Sequence, residues 1–307
     1  MHQEGGRTTK KQVTDFNLLQ CNPTTLKVTQ NTCLPMEMLI RLRDAWNEEF
    51  PKHAIPHHYR TKSDLWAQLR TRMRNQYKCS SEYCALQELG DSVEKATGAV
   101  FFRPPKPDDW IKNPTDWHDS NTIASVMEQY EDAFPTFEFI GPVPIDFDAR
   151  MPGIWGRCVV DELCTLDLQT MAKKGKKSIG VVFNLDPHDR PGSHWVCAYV
   201  DMRAKKSYFY DSYGYEPCAE IRRFLRRCKE QGCEEIIWND IPHQKKNSEC
   251  GTYCMYVIIS LLKGKSFADI CKDRVDDDTM NAFRDLLFAT ARPGKLAMER
   301  VVKLLAL

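Results

Sequence analysis

Apolar positions change their spacing several times along the chain, and each change marks an element. From Pro35 to Phe50, Met38, Leu39, Leu42, Ala45 and Trp46 recur at three- and four-residue steps, which predicts an amphipathic helix. Ser63 is placed to cap a second helix carrying Leu65, Trp66, Leu69 and Met73. The run from Phe101 to Trp117 holds four prolines and reads as a connector packed by its tryptophans. Asn121 precedes a helical pattern of Ile123, Val126, Met127 and Tyr130, after which FEFIGPVPIDF reads as short extended pieces.

Further on the period shortens. SIGVVFNLD, Ser178 to Asp186, is a continuous apolar run ending in turn residues, as expected of a strand buried on both faces. HWVCAYVDM and SYFYDSYG are two more strands joined by the polar Arg203 to Lys206. Glu220 to Lys229 reads as a helix, Glu234 to Trp238 as a strand and Gly251 to Leu262 as a strongly apolar helix. Asp278 to Phe288 and Leu296 to Leu305 read as closing helices. The expected class is α+β, a mixed central sheet with flanking helices. We expect an N-terminal, mainly helical accessory region over 1–120 and a second domain over 121–307. Residues 1 to about 20, with Gly5, Gly6 and a polar run, should be a flexible start outside any core.

Composition narrows the class without naming a function. A chain of 307 residues, 42% hydrophobic and 28% charged, is an ordinary folded protein. Its 43 basic against 42 acidic residues leave no global electrostatic reason to expect nucleic acid or a membrane as partner. The 13 cysteines, odd in number and unevenly spread, do not form a secreted disulfide pattern, so most read as small buried apolar groups in a reducing compartment. Cys79/Cys84, Cys158/Cys164, Cys228/Cys233 and Cys250/Cys254 all lack the two-residue spacing of a zinc knuckle, and no metal site is expected. The polar start has no signal-peptide core and no apolar run approaches about 18 residues. The expectation is a soluble intracellular protein.

The chemistry lies in HQKKNSECGTYCMYVIISLLKG, His243 to Gly264, where a polar loop meets an apolar helix with Cys250 at the junction. Unpartnered N–H groups at a helix start, and the helix dipole, favour a thiolate over a thiol. A thiolate nucleophile needs an imidazole beside it and a third group to orient that imidazole. If the strands around His194 and Asp211 form an antiparallel hairpin turning near Met202 to Lys205, the two residues fall within a residue or two of direct opposition. Asp201 competes with Asp211 but belongs at the far, turn end. Gln244, six residues before Cys250, could donate to the oxyanion together with the Cys250 N–H. His243 reads as a loop residue. Trp195 is either a wall of the substrate channel or a core residue bracing the hairpin, and Trp155 is a candidate for the opposite wall.

The ordered set His194-Trp195, Asp211-Ser212, Gln244 and Cys250-Gly251 resembles the SUMO-specific and adenovirus-type cysteine peptidases. The order His, Asp, Cys differs from that of papain, where the cysteine comes first. VFNLD, PGSHW, YDSYG and NSECGTY bring the resemblance closer to the members encoded by large DNA viruses. It covers roughly residues 137 to 290. Glu249 and Lys246 depart from the aspartate and asparagine usual in cellular members, which bears on the substrate groove more than on the chemistry.

The resemblance implies a circularly permuted papain-like core in the domain over 121–307 and a peptidase that needs no metal or organic cofactor. It implies cleavage after small residues at Gly-Gly-X sites, in viral structural polyproteins during virion maturation. The alternatives are isopeptidase action on a ubiquitin-like modifier, acyl transfer, or an inert scaffold; no phosphate-cradling loop for coenzyme A is visible. The expected partner is a polypeptide, with an activator or virion components meeting the N-terminal region and nucleic acid left open. The expected location is the host cytoplasm and the virion.

Overall fold

The computed structural model describes residues 15–28, 31–151 and 156–291. The chain divides into two compact units, one taking it up to Phe102 together with the segment from Ala289, the other running from Arg103 to Phe288.

The first unit is helical: α1 (Phe16–Leu19), α2 (Pro23–Val28), α3 (Met36–Glu49), α4 (Lys62–Tyr77), α5 (Glu82–Leu89) and α6 (Ser92–Gly98). Its core is the apolar stripe read from the sequence, with Leu39, Leu42 and Trp46 of α3 meeting Leu65, Leu69 and Met73 of α4. The cap of α4 is Thr61 rather than Ser63, because Thr61 and Asp64 satisfy each other's backbone N–H groups in a capping box. The flexible start expected over residues 1 to about 20 lies, up to residue 14, outside the described residues. From Asp15 onward that expectation is corrected. Asp15 caps α1, Leu19 is buried, and Asn17 donates to the buried Glu82 at 2.8 Å. A short polar segment is fixed here by a buried carboxylate 65 positions away, which no local pattern reveals.

The second unit contains α7 (Asp109–Lys112), α8 (Ser120–Ala133), β1 (Phe137–Pro144), α9 (Asp161–Cys164), α10 (Leu168–Lys173), β2 (Ser178–Asn184), β3 (Trp195–Asp201) and β4 (Lys206–Tyr210). It continues through α11 (Ala219–Glu230), β5 (Glu235–Trp238), α12 (Cys250–Leu262), α13 (Phe267–Lys272) and α14 (Asp277–Leu287). Asp119 caps α8 through the Thr122 N–H at 2.7 Å. The Pro-punctuated run is one strand, β1, with a register shift between Ile140 and Val143 that accommodates Pro142. The proline-rich connector also carries one helical turn, α7, whose Trp110 is buried.

The sheet has the order β1-β2-β3-β4-β5, parallel at both ends and antiparallel in the middle, a mixed α+β sheet as expected. Ile179, Val181 and Phe183 of β2 and Val196, Ala198 and Val200 of β3 face one core with Ile221, Phe224 and Leu225 of α11. Intervening residues such as Gly180 face α12, where an added Cβ would meet Ile258 at 3.2 Å. Both faces are covered, which is why β2 reads as an unbroken apolar run. It also explains why α12 is buried from Cys250 through Ser260.

The cysteines correct another expectation. Six that read as buried apolar thiols are paired as Cys21–Cys33, Cys79–Cys84 and Cys158–Cys164, while seven remain thiols, Cys250 among them. Pairing follows from Cα separations of 5.2 to 6.3 Å set by tertiary packing and tight loops. The closing helix expected over Leu296 to Leu305 lies outside the described residues.

Candidate active site

The β3–β4 register puts Cys197 opposite Tyr210, which sets Asp211 beside Val196 and makes His194 its diagonal neighbour on the same face. His194 Nε2 donates to Asp211 Oδ1 at 2.8 Å. The same oxygen accepts the Tyr213 N–H at 2.8 Å. Asn239 clamps the Asp211 backbone, its Oδ1 accepting the N–H at 2.9 Å and its Nδ2 donating to the carbonyl at 2.7 Å. The Tyr213 ring lies against the imidazole with centroids 5.0 Å apart.

With Nε2 committed to Asp211, Nδ1 is the nitrogen left for Cys250, whose thiol is a hydrogen-bond partner of the ring. Burial works against a charge on His194, but the Asp211 and Cys250 bonds outweigh it and raise the imidazole from 6.5 to about 9. At neutral pH the ring is therefore cationic beside a 1% exposed cysteine. Cys250 is the first residue of α12, and no side chain caps that helix start, so its N–H groups remain available.

Ser212 Oγ donates to Gln244 Oε1 at 2.6 Å, fixing the amide with its Nε2 as donor. One Nε2 hydrogen goes to the Lys246 carbonyl at 3.0 Å and the other is left for a ligand. The loop is held from behind, because the Lys245 and Lys246 N–H groups both donate to Asp277 Oδ2, at 3.0 and 2.9 Å. Gln244 is 3% exposed, a fixed part of the interior rather than a solvated loop residue.

Several supporting residues carried no local signal. Glu249, wholly buried, accepts from Ser248 Oγ at 2.8 Å and from Asn281 Nδ2 at 2.7 Å. Arg284 of α14, also wholly buried, donates to the Ser248 carbonyl at 2.9 Å and to that of Asp116, and lies over the Trp110 ring at 4.6 Å. Burial lowers the guanidinium to about 10 against the pull of Glu249 and Cys250, so it remains charged. His118 shares its Nε2 with Thr252 Oγ1 at 2.9 Å and packs on Gly251, where a Cβ would come within 2.9 Å of the histidine Cβ. Burial, with Arg284 nearby, pushes His118 well below its usual range, so it is neutral. A polar residue that anchors others from across the fold has no periodicity to betray it.

The remaining candidates separate cleanly. Trp195 is buried and its indole N–H donates to the His118 carbonyl at 2.9 Å. It also lines a concavity of about 410 Å³ with Trp117, Pro142, Pro191 and Gly192. Asp201 is a turn residue accepting the Arg203 and Ala204 N–H groups, at 3.0 and 2.9 Å. His243 is structural, bonded to Tyr210 at 3.0 Å and to the Cys271 carbonyl at 2.9 Å. Gly192, at φ 101°, lies so close to the Asn184 amide that a Cβ would collide with it, which ties the PGSHW segment to the end of β2. Trp155 lies outside the described residues. Among the described residues no group of three or more His, Cys, Asp or Glu could hold a metal ion, and no helix is long and apolar enough to cross a membrane.

Residues 170–289 match the Ulp1 protease family, C-terminal catalytic domain. A protein of Acanthamoeba polyphaga mimivirus assigned as a thiol protease is 28% identical over 302 residues, 92% of this chain and 96% of that protein. A cysteine protease of African swine fever virus is 31% identical over 127 residues, 39% of this chain and 46% of that protein. The crystal structure of the African swine fever virus protease superposes with a TM-score of 0.61, covering 89% of this chain and 96% of the other. Its sequence identity is 20%, so that likeness speaks to the fold.

Proposed function

We propose that this chain, a cysteine peptidase of the Ulp1-like kind, cleaves polypeptides after small residues at Gly-Gly-X sites, with Cys250 as nucleophile, His194 as its base and Asp211 orienting His194. The observation that carries the reading is the 2.8 Å bond from His194 Nε2 to Asp211 Oδ1 beside a cysteine on an uncapped helix start. His194 Nδ1 holds the Cys250 proton, and the thiolate attacks the peptide carbonyl. The oxyanion that forms faces Gln244 Nε2 and the Cys250 N–H. The imidazolium then protonates the leaving amine, and His194 activates the water that releases the acyl group.

The glycine preference comes from the resemblance, and Trp195 beside His194 is the residue that would narrow the approach to Cys250. The viral origin of the relatives supports structural polyproteins of assembling particles as substrates, in the host cytoplasm and the virion. An activator or particle component would meet the N-terminal region, residues 1–120, and residues 121–307 would form the catalytic domain.

The test is cleavage of Gly-Gly-X peptides, and of ubiquitin-like fusions ending in Gly-Gly, by wild type, Cys250→Ala and His194→Ala. Peptide cutting that both substitutions abolish is the expected result. Cutting of folded fusions alone would move the substrate to a ubiquitin-like modifier. Cutting that survives Cys250→Ala would sink the assignment of the nucleophile.

A further inference from the structure

A second concavity, of about 310 Å³, opens beside the His194–Asp211 pair, on the sheet face that carries α11. Its floor is Val196 and Phe209, both fully packed from below, with Leu185 beside them. Its wall is aromatic: Tyr213 lies against His194, and Tyr215 follows at 6.2 Å between centroids. Cys218, a free thiol, closes the end.

Three of the polar groups around it already have partners. Asp211 Oδ1 accepts from His194 and from the Tyr213 N–H. The Tyr213 hydroxyl donates to the Lys246 carbonyl at 2.8 Å, which also holds the ring in place. Glu216 at the rim is paired with Arg222 at 2.8 Å. Against the apolar surface of Leu185, Phe209 and the tyrosine rings a polar occupant would lose its water with few bonds to regain, whereas an apolar one would lose nothing. Yet Tyr215 is 68% exposed, an aromatic ring left in water at the pocket edge.

The two concavities share no lining residue, and neither includes Cys250 or Gln244. The one beside Trp195 includes His118, which packs on Gly251 next to Cys250, and does not reach His194. Of the two, the second is the one walled by the His194 imidazole. In acyl transfer to Cys250 the acyl half stays with the nucleophile and its oxyanion donors, and the leaving amine departs past the imidazole that protonates it.

We infer that the Val196–Phe209–Tyr215 pocket is a leaving-side subsite that binds a large apolar or aromatic side chain on the first residue after the scissile bond. The inference rests on the peptidase reading of Cys250 and His194. Its size, at the low end of the roughly 300–1,000 Å³ of ligand pockets, suits one side chain rather than a length of peptide.

The experiment measures kcat/KM on peptides that share one acyl half ending in Gly-Gly and differ only in the next residue: Leu, Phe, Ser or Asp. Wild type should prefer Leu and Phe over Ser and Asp by about 10-fold or more, the range one apolar pocket supplies. Tyr215→Ala removes the rim and Cys218→Phe fills the end, and each should cut that ratio to about 3-fold or less, with KM moving more than kcat. Tyr215→Ala alters an exposed residue and decides the matter if Cys218→Phe does not fold. A flat preference in wild type, with cutting still dependent on Cys250, would overturn the subsite and leave the peptidase reading standing. So would a preference that both variants retain. No cutting of any of these peptides by untreated protein, in a preparation whose Cys250 a parallel sample shows to react with iodoacetamide, would remove the Gly-Gly-X reading and the subsite together.

Discussion

His194 keeps its proton to about pH 9 because Asp211 and Cys250 both bond its ring, overcoming the burial that opposes the charge. A thiolate–imidazolium pair works only while that proton is present, so kcat/KM should fall on the alkaline side with a midpoint near pH 9. Asp211→Ala should shift this limb downward and lower kcat/KM by roughly 10²–10⁴-fold. A limb that stays put in the variant would show that Asp211 does not hold the imidazolium. Stability follows the same proton. The raised value favours the folded state fully below pH 6.5, the ordinary value, and this contribution disappears as pH rises through about 9. Thermal melts of wild type should therefore decline between those pH values more steeply than melts of Asp211→Ala.

At the scale of elements, the start of α12 is fixed by neighbours that crowd it from distant parts of the chain. Gly251 has room for nothing but hydrogen, since His118 lies against it. Gly251→Ala gains about 1 kcal/mol in helix propensity but overpacks the junction at about 1–3 kcal/mol. Net destabilisation in urea unfolding, together with a fall in kcat, is the expected result; a stabilised, fully active variant would refute the packing account. Arg284 of α14 holds the Ser248 carbonyl two residues before Cys250 and feels the charge of the buried Glu249. Arg284→Leu leaves the buried Ser248 carbonyl without this donor and removes a cation whose charge Glu249 feels, and should cost about 1–3 kcal/mol, measured by the same unfolding curves. A loss below about 1 kcal/mol would mean that Asn281 and Ser248 alone satisfy Glu249.

The whole molecule joins a helical core around Leu39, Leu65 and Phe102 and a sheet core around Val181, Val196 and Phe224, each within its own unit. Its cysteines divide between the two states, which gives a count that can be measured. Denatured without reductant, the protein should titrate seven thiols, and after reduction all 13. Thirteen thiols without reductant would restore the reading of Cys21, Cys33, Cys79, Cys84, Cys158 and Cys164 as plain apolar groups.

The long helices and four of the five strands were legible because covered faces impose a period on the sequence: Met38 to Trp46, Ser178 to Asn184 and Gly251 to Leu262 each record which sides are buried. The hairpin pairing His194 with Asp211 was legible as well, since the polar turn from Met202 to Lys205 fixes a register and the register fixes the meeting. β1 was broken into pieces because Pro142 interrupts the pattern while the chain still pairs with β2 on either side. The cap of α4 falls at Thr61 and not at Ser63 because several polar residues near a helix start can cap it, and only backbone geometry selects among them. By itself, then, the sequence determined the long helices, four strands, their core faces and the ordered set of His194, Asp211, Gln244 and Cys250, all of which follow from local period and short spacings. The cystines, the bond of Asn281 to Glu249, that of Arg284 to the Ser248 carbonyl, and the approach of His118 to Gly251 were decided by tertiary structure alone, because each depends on where separate elements stop in space.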